Sequence, residues 1–166
     1  AVALVDNVPR TLPLKGIIHF YVQHQREVIV RRAKHELRTL EAQVHRLEGL
    51  LIALDNLDAV IALIRGSADG DEARAGLMEK FELSEIQAQA ILDMRLQRLT
   101  GLERKKIEDE YKAIIQLINE LEDLLANPRK ILLAIKDELL DLEKRYGDDR
   151  KTRIQADANR ELTAED

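Results

Sequence analysis

Two apolar stripes with coiled-coil spacing dominate the chain. The first has positions separated alternately by three and four residues: Val30, Ala33, Leu37, Leu40, Val44, Leu47, Leu51 and Leu54. The second follows the same rule: Ile107, Tyr111, Ile114, Ile118, Leu121 and Leu125. A period of 3.5 residues places a narrow apolar seam on one side of a helix, and that seam requires a partner helix. Two such seams in one chain predict an antiparallel coiled-coil hairpin.

The predicted fold is mainly α: a long antiparallel coiled-coil hairpin with a small helical globule at its tip. We divide the chain into a short upstream remnant, a first arm, a helical tip, a returning arm with a packing helix, and a linker. These segments cover residues 1–13, 14–54, 55–100, 101–147 and 148–166. Because the chain starts at Ala1 without a methionine, we interpret it as a fragment.

Capping signals mark several helix borders. Ser84 with Gln87 and Thr100 with Glu103 match the capping-box pattern, so one helix should begin at each site. Asn127 followed by Pro128 predicts a further helix start. In that last helix we expect the apolar register to continue through Leu132, Ile135, Leu139, Leu142 and Tyr146.

Two short segments have the composition of β-strands. Residues 2–5 read Val-Ala-Leu-Val and are followed by the turn residues Asp6 and Asn7. A lone strand is not stable, so we expect its partners to lie outside the fragment. A second short strand is predicted near residues 152–154.

Composition limits the classes of function. Charged residues make up 34% of the chain, aromatic residues 3%, and cysteine is absent, which favours long charged helices in a reducing compartment. The sequence contains no apolar run of membrane-spanning length and no signal peptide, so we predict a cytoplasmic protein without membrane partners. The net charge of −5 argues against a chain-wide nucleic-acid surface but allows a local basic patch.

The sequence predicts no catalytic, metal or cofactor site in this chain. The four histidines, His19, His24, His35 and His45, lie in one helical stretch without the spacing of metal ligands, so we interpret them as solvated arm residues. Glycine-rich phosphate loops are absent from the sequence. Carboxylates are plentiful but follow the pattern of helix exteriors.

One basic run allows two interpretations. It comprises Arg26, Arg31, Arg32, Lys34 and Arg38. It could make weak, sequence-independent contacts with phosphates. It could equally be the ordinary charged exterior of a coiled coil, and sequence alone favours this second interpretation.

The tip also allows two interpretations. It could bury its own apolar residues, or it could associate with a second copy of itself. A segment of this size is marginal for an independent core, yet it is rich in apolar side chains, which favours a shared two-fold interface. We predict that this interface lies on the helix that begins after Ser84 and contains Ile86, Gln89, Ala90, Asp93, Met94 and Leu96.

The tip sequence LSEIQAQAILDMRLQRLTGLE, residues 83–103, resembles the A-subunit family of bacterial DNA gyrase. Four other stretches are similar: LVDNVPRTL at 4–12, QHQREVIVRR at 23–32, LEGLLIAL at 47–54 and GDDRKTRI at 147–154. The ending ELTAED, residues 161–166, resembles the lead-in to the gyrase DNA-wrapping domain and favours gyrase over topoisomerase IV.

The resemblance implies a part of an ATP-dependent type IIA topoisomerase, in which A subunits pair at an exit gate and work with the gyrase B subunit on duplex DNA. Residues 55–100 would form that gate, and residues 1–13 the edge of the upstream tower domain. The family's catalytic tyrosine lies upstream, and ATP and magnesium are held through the B subunit. Tyr146 follows Arg145, as the catalytic tyrosine follows an arginine, but it stands in the wrong region. The alternative is a generic coiled-coil scaffold or dimerisation protein.

Overall fold

The computed structural model describes residues 1–152 of the chain. A β-hairpin precedes six α-helices in this part of the chain. The elements are β1 (Val2–Val5), β2 (Val8–Thr11), α1 (Leu14–Asp55), α2 (Leu57–Gly66), α3 (Gly70–Phe81), α4 (Glu85–Leu92), a 3-10 turn (Leu96–Leu99), α5 (Gly101–Ala126) and α6 (Pro128–Tyr146). The predicted mainly α fold is confirmed.

Helices α1 and α5 form the predicted antiparallel hairpin. Asp55 at the end of α1 accepts a hydrogen bond from Arg104 near the start of α5, at 2.5 Å. Two turns earlier on α1, Glu48 accepts from the Tyr111 hydroxyl at 3.3 Å. Burial and this carboxylate both raise the pKa of Tyr111. Residues later in α5 therefore pair with residues earlier in α1, so the two helices are antiparallel.

The seam between the arms is the one that the heptad spacing predicts. Its most buried side chains alternate between the two helices and belong to one continuous core: Val44, Leu47, Leu54, Ile107, Ile114 and Ile118. The 42 residues of α1 give an arm of about 63 Å at about 1.5 Å per residue. The hairpin is thus a long rod with a thin core.

Three short helices and the 3-10 turn build the tip. Asp69 caps α3 by accepting from the Glu72 backbone N–H. The reciprocal capping box predicted at Ser84 is present, with Ser84 and Gln87 bonded to each other's backbone N–H. Thr100 caps α5 by accepting from the Glu103 backbone N–H. Local sequence therefore fixes the start of each of these helices.

The prediction for the first strand is wrong in one respect, because its partner is present. Strands β1 and β2 pair antiparallel, with Val5 opposite Val8 and Leu4 opposite Pro9. Asp6 and Asn7 both have positive φ, 52° and 62°, as a two-residue type I′ turn requires. Pro9 fits because it occupies a non-hydrogen-bonded position, where no inter-strand N–H is needed.

The predicted register of α6 is also wrong in part. Ile131 and Ile135 are buried against Ile29 of α1 in a small second core. The other predicted positions, Leu132, Leu139, Leu142 and Tyr146, are at least 40% exposed. The break at Asn127 starts a new helix, so its buried face does not follow the register of α5.

The remaining sequence predictions concern membrane spans and the C-terminal linker. Among residues 1–152, none of the helices combines the length and apolar character needed to cross a membrane. The strand predicted near 152–154 and most of the predicted linker, from residue 153 onward, lie outside the described residues.

Candidate functional site

Helix α4 lies directly on the arm. Its inner face, which includes Gln87, Ala88 and Ile91, is buried. Gly49 of α1 faces Gln87 so closely that an added Cβ would lie 2.7 Å from the Gln87 Cβ. The absence of a side chain at Gly49 therefore lets the two helices approach, and the rod fixes the position of α4.

The outer face of α4 and the following turn expose apolar side chains. Ile86 is 63% exposed and Leu96 is 83% exposed. Asp93 is exposed, and Gln89 and Met94 are half-buried. Ile86, Gln89 and Asp93 line one shallow cavity at the tip, and Leu96 lies in the 3-10 turn that follows α4. Ala90, in contrast, is 9% exposed and belongs to the chain's own core. Ile86 and Leu96 are therefore the most accessible apolar residues of the predicted interface.

A polar network orders the side chains around this apolar surface. Arg74 of α3 donates to Gln89 at 3.1 Å, and Gln89 donates to Asp93 at 3.0 Å. Arg74 also donates to Asp71 at 2.6 Å. These hydrogen bonds hold the polar groups beside Ile86 in place.

His45 is not the solvated residue that the sequence predicts. Its side chain is half-buried, and its Nε2 lies 2.6 Å from Ser84 Oγ. Its carbonyl oxygen accepts from Gln87 Nε2 at 2.7 Å. The spacing of the histidines carries no signal for this contact, because its partners are 39 and 42 residues away.

All five residues of the predicted basic run are exposed on α1. Arg32 differs from the others because Glu138 of α6 accepts its hydrogen bond at 2.8 Å and raises the pKa of Arg32. Arg32 thus joins α1 to α6, which makes it less available to an external phosphate.

A second set of arginines continues from the arm to the tip. Arg38 and Arg46 border one shallow groove along α1, and Arg46 also lines an adjoining cavity with Arg95 and Arg98. Within residues 1–152, none of these four has a carboxylate within 4.0 Å. We call Arg38, Arg46, Arg95 and Arg98 the basic track. Sequence reasoning missed its tip half because the residues are distant along the chain.

The described residues do not fit a metal ion. Residues 1–152 contain no group of three or more histidine, aspartate or glutamate side chains placed to hold one. Tyr146 is 75% exposed at the end of α6.

Comparison with known proteins assigns the family. The family model for the A subunit of DNA gyrase/topoisomerase IV matches residues 1–140. The chain belongs to this family. Similar curated relatives are DNA gyrase A subunits: 58% identical over 154 residues in Halalkalibacterium halodurans, 55% over 157 in Clostridium acetobutylicum, and 54% over 164 in Dehalogenimonas lykanthroporepellens.

The family assignment confirms the resemblance drawn from the tip and arm sequences. The three alignments cover 93%, 95% and 99% of this chain, but only 18%, 19% and 20% of the respective relatives. The chain therefore spans about a fifth of the length of these gyrase proteins.

Proposed function

We propose that this chain is the coiled-coil arm and exit-gate dimerisation module of a DNA gyrase A subunit. The whole protein would be part of an ATP-dependent type IIA topoisomerase that negatively supercoils cytoplasmic DNA by double-strand passage. One observation carries the proposal: Ile86 and Leu96 are exposed on the helical tip at the end of a long hairpin. An exposed apolar surface at the end of a long hairpin would suit a gate, because a gate must bind its second copy at a distance from the rest of the molecule.

In this proposal two copies pair through residues 55–100, so that each arm ends at the gate. Burying Ile86 and Leu96 against a second copy would remove apolar surface from water, the main driving force of association. The ordered Arg74, Gln89 and Asp93 would surround this apolar centre with polar groups. Such an apolar centre with a polar rim is typical of specific interfaces.

The chain itself would contribute no step of bond cleavage. We propose that the nucleophilic tyrosine lies in an upstream part of the protein, and that the gyrase B subunit holds ATP and magnesium. The chain's role would be mechanical, opening and closing the exit for duplex DNA.

The base of the arm would dock on the upstream tower domain, and residues 148–166 would lead toward a DNA-wrapping domain. Exposed apolar side chains support the docking, with Val2 73%, Leu4 70% and Leu14 74% exposed. A face of this kind is typical of a surface that another part of a protein covers.

Arm residues would also contact DNA. We propose weak contacts to phosphates through Arg26, Arg31, Lys34 and Arg38, with Arg32 contributing less because of its pair with Glu138. The basic track extends such contacts to the tip, where passing DNA would leave.

A generic scaffold or dimerisation protein is the second candidate function. It would need only the two seams, and its tip could be any helical turn. The ordered polar network beside Ile86 favours the gate, because a simple turn between two helices has no need of one.

Sedimentation equilibrium tests the proposal directly. We expect the wild-type chain to be dimeric at tens of micromolar and the Ile86→Glu variant to be monomeric, with the same helical content by circular dichroism. The added charges would lose water against each other across the two-fold axis. Leu133→Glu, on the exposed face of α6, is the control and should remain dimeric. A monomeric wild type would refute the proposal, and a dimer that is lost only in the control would move the interface to α6.

A further inference from the structure

Three residues form a closed hydrogen-bond network where α4 meets the arm. Ser84 Oγ lies 2.6 Å from His45 Nε2. Gln87 Nε2 donates to the His45 carbonyl oxygen at 2.7 Å, and Gln87 Oε1 accepts from the Ser84 backbone N–H at 3.0 Å. Gln87 is only 6% exposed, so water contributes little to satisfying its amide. The network links the arm to the first turn of the tip helix.

Backbone groups fix the orientation of the Gln87 amide. Its oxygen faces a backbone N–H donor, and its nitrogen faces a backbone carbonyl acceptor. Reversing the amide would set donor against donor at Ser84 and acceptor against acceptor at His45. In a buried position both mismatches would remain uncompensated, so only the observed orientation satisfies the network.

The fixed amide in turn determines the tautomer of His45. Its Nδ1 lies 3.4 Å from Gln87 Nε2, an NH2 group that can only donate. The tautomer that accepts this contact at Nδ1 carries its proton on Nε2. That proton is donated to Ser84 Oγ, which also accepts from the Gln87 backbone N–H at 3.2 Å.

We infer that His45, as the neutral Nε2–H tautomer, is a positioning residue that sets the orientation of the Ile86 face. Ile86 lies in the same first turn of α4 as Gln87 but on its exposed side. Gly49 allows the close approach that brings Gln87 within reach of His45. The inference rests on the proposed function, because orientation matters only if the Ile86 face meets a second copy.

A matched pair of substitutions tests the role of His45. His45→Gln keeps an N–H donor that can reach Ser84, whereas His45→Leu has a similar size without polar atoms. We expect His45→Leu to weaken dimerisation by about tenfold or more and His45→Gln to stay within about threefold of wild type, both at wild-type helical content. Equal dimer affinity in all three proteins would overturn the inference. Parallel loss of dimer affinity and thermal stability in both variants would do the same.

The imidazole nitrogens of His45 provide a second test, which uses the wild-type chain and does not depend on the folding of a variant. Two-dimensional 1H–15N spectra of the imidazole distinguish the two neutral tautomers. We expect the Nε2–H pattern for His45, and an Nδ1–H pattern would overturn the inference. A monomeric wild-type chain would instead refute the proposed dimer, so the two failures are distinguishable.

Discussion

Replacing Gly49 by alanine probes the contact that holds α4 on the arm. The new Cβ would lie 2.7 Å from the Gln87 Cβ, 2.8 Å from its Cγ and 3.3 Å from its Cα. Ordinary carbon contacts are about 3.5–4.0 Å. Because the nearest atoms belong to the stem of Gln87, its side chain cannot rotate away, and α4 must retreat by several tenths of an ångström.

One stabilising effect and two destabilising effects determine the magnitude of the change. Alanine gains about 0.8–1.0 kcal/mol over glycine in a helix interior. Overpacking costs about 1–3 kcal/mol. Retreat of α4 also strains the 2.7 Å bond from Gln87 to His45, and a lost hydrogen bond costs about 0.5–1.5 kcal/mol. We therefore expect Gly49→Ala to lower the free energy of unfolding by about 1–3 kcal/mol.

Urea denaturation followed by circular dichroism, at one fixed protein concentration, measures this change. Gly101→Ala is the control, because a Cβ at Gly101 meets no atom within 4 Å. The control should be neutral or stabilised by a few tenths of a kcal/mol up to about 1. If Gly49→Ala were as stable as the control, the close approach of α1 and α4 would be wrong.

Two further predictions concern the tip. Glu82→Gly should stabilise the chain by about 0.5–1 kcal/mol in the same urea assay, because Glu82 ends α3 at a positive φ of 54° that glycine adopts without strain. The control, Glu79→Gly inside α3, should destabilise the chain by about 1 kcal/mol. Arg98→Gln should weaken binding to a short DNA duplex and lower the slope of log K against log salt by about 0.9, as measured by fluorescence anisotropy. Lys105→Gln is the control, because it removes the same charge at an exposed position of α5. Equal effects of the two substitutions would mean that DNA binding depends only on net charge and would exclude a defined basic track.

The parts of the fold predicted from sequence are those with local causes. The seam through Leu47 and Ile114 follows from periodicity, and the start of α4 follows from the reciprocal bonding of Ser84 and Gln87. The hairpin carried a local signal too, because the turn residues Asp6 and Asn7 follow the first strand, but residues 8–11 read Val-Pro-Arg-Thr, which is not an apolar run and includes Pro9. Its fit depends on the pairing register, which sequence composition does not reveal.

The parts that sequence could not predict depend on contacts between distant residues. His45 has an ordinary place on a charged helix, and only the fold brings it to Ser84. Likewise, Arg46 and Arg98 line the same cavity because the tip packs against the arm. The choice of Ile131 over Leu132 as a buried position of α6 depends on how that helix crosses α1. Each of these features is set by packing rather than by local preference.

Site-directed cross-linking at the tip tests the central claim most directly. The chain has no cysteine, so Ile86→Cys provides a single thiol on the proposed interface, and Leu133→Cys provides one on α6. After treatment with a short bis-maleimide, we expect Ile86→Cys to give a covalent dimer of twice the 19.0 kDa chain mass, and Leu133→Cys to remain monomeric on a denaturing gel. Failure of Ile86→Cys to cross-link while Leu133→Cys does so would contradict a gate formed by the tip.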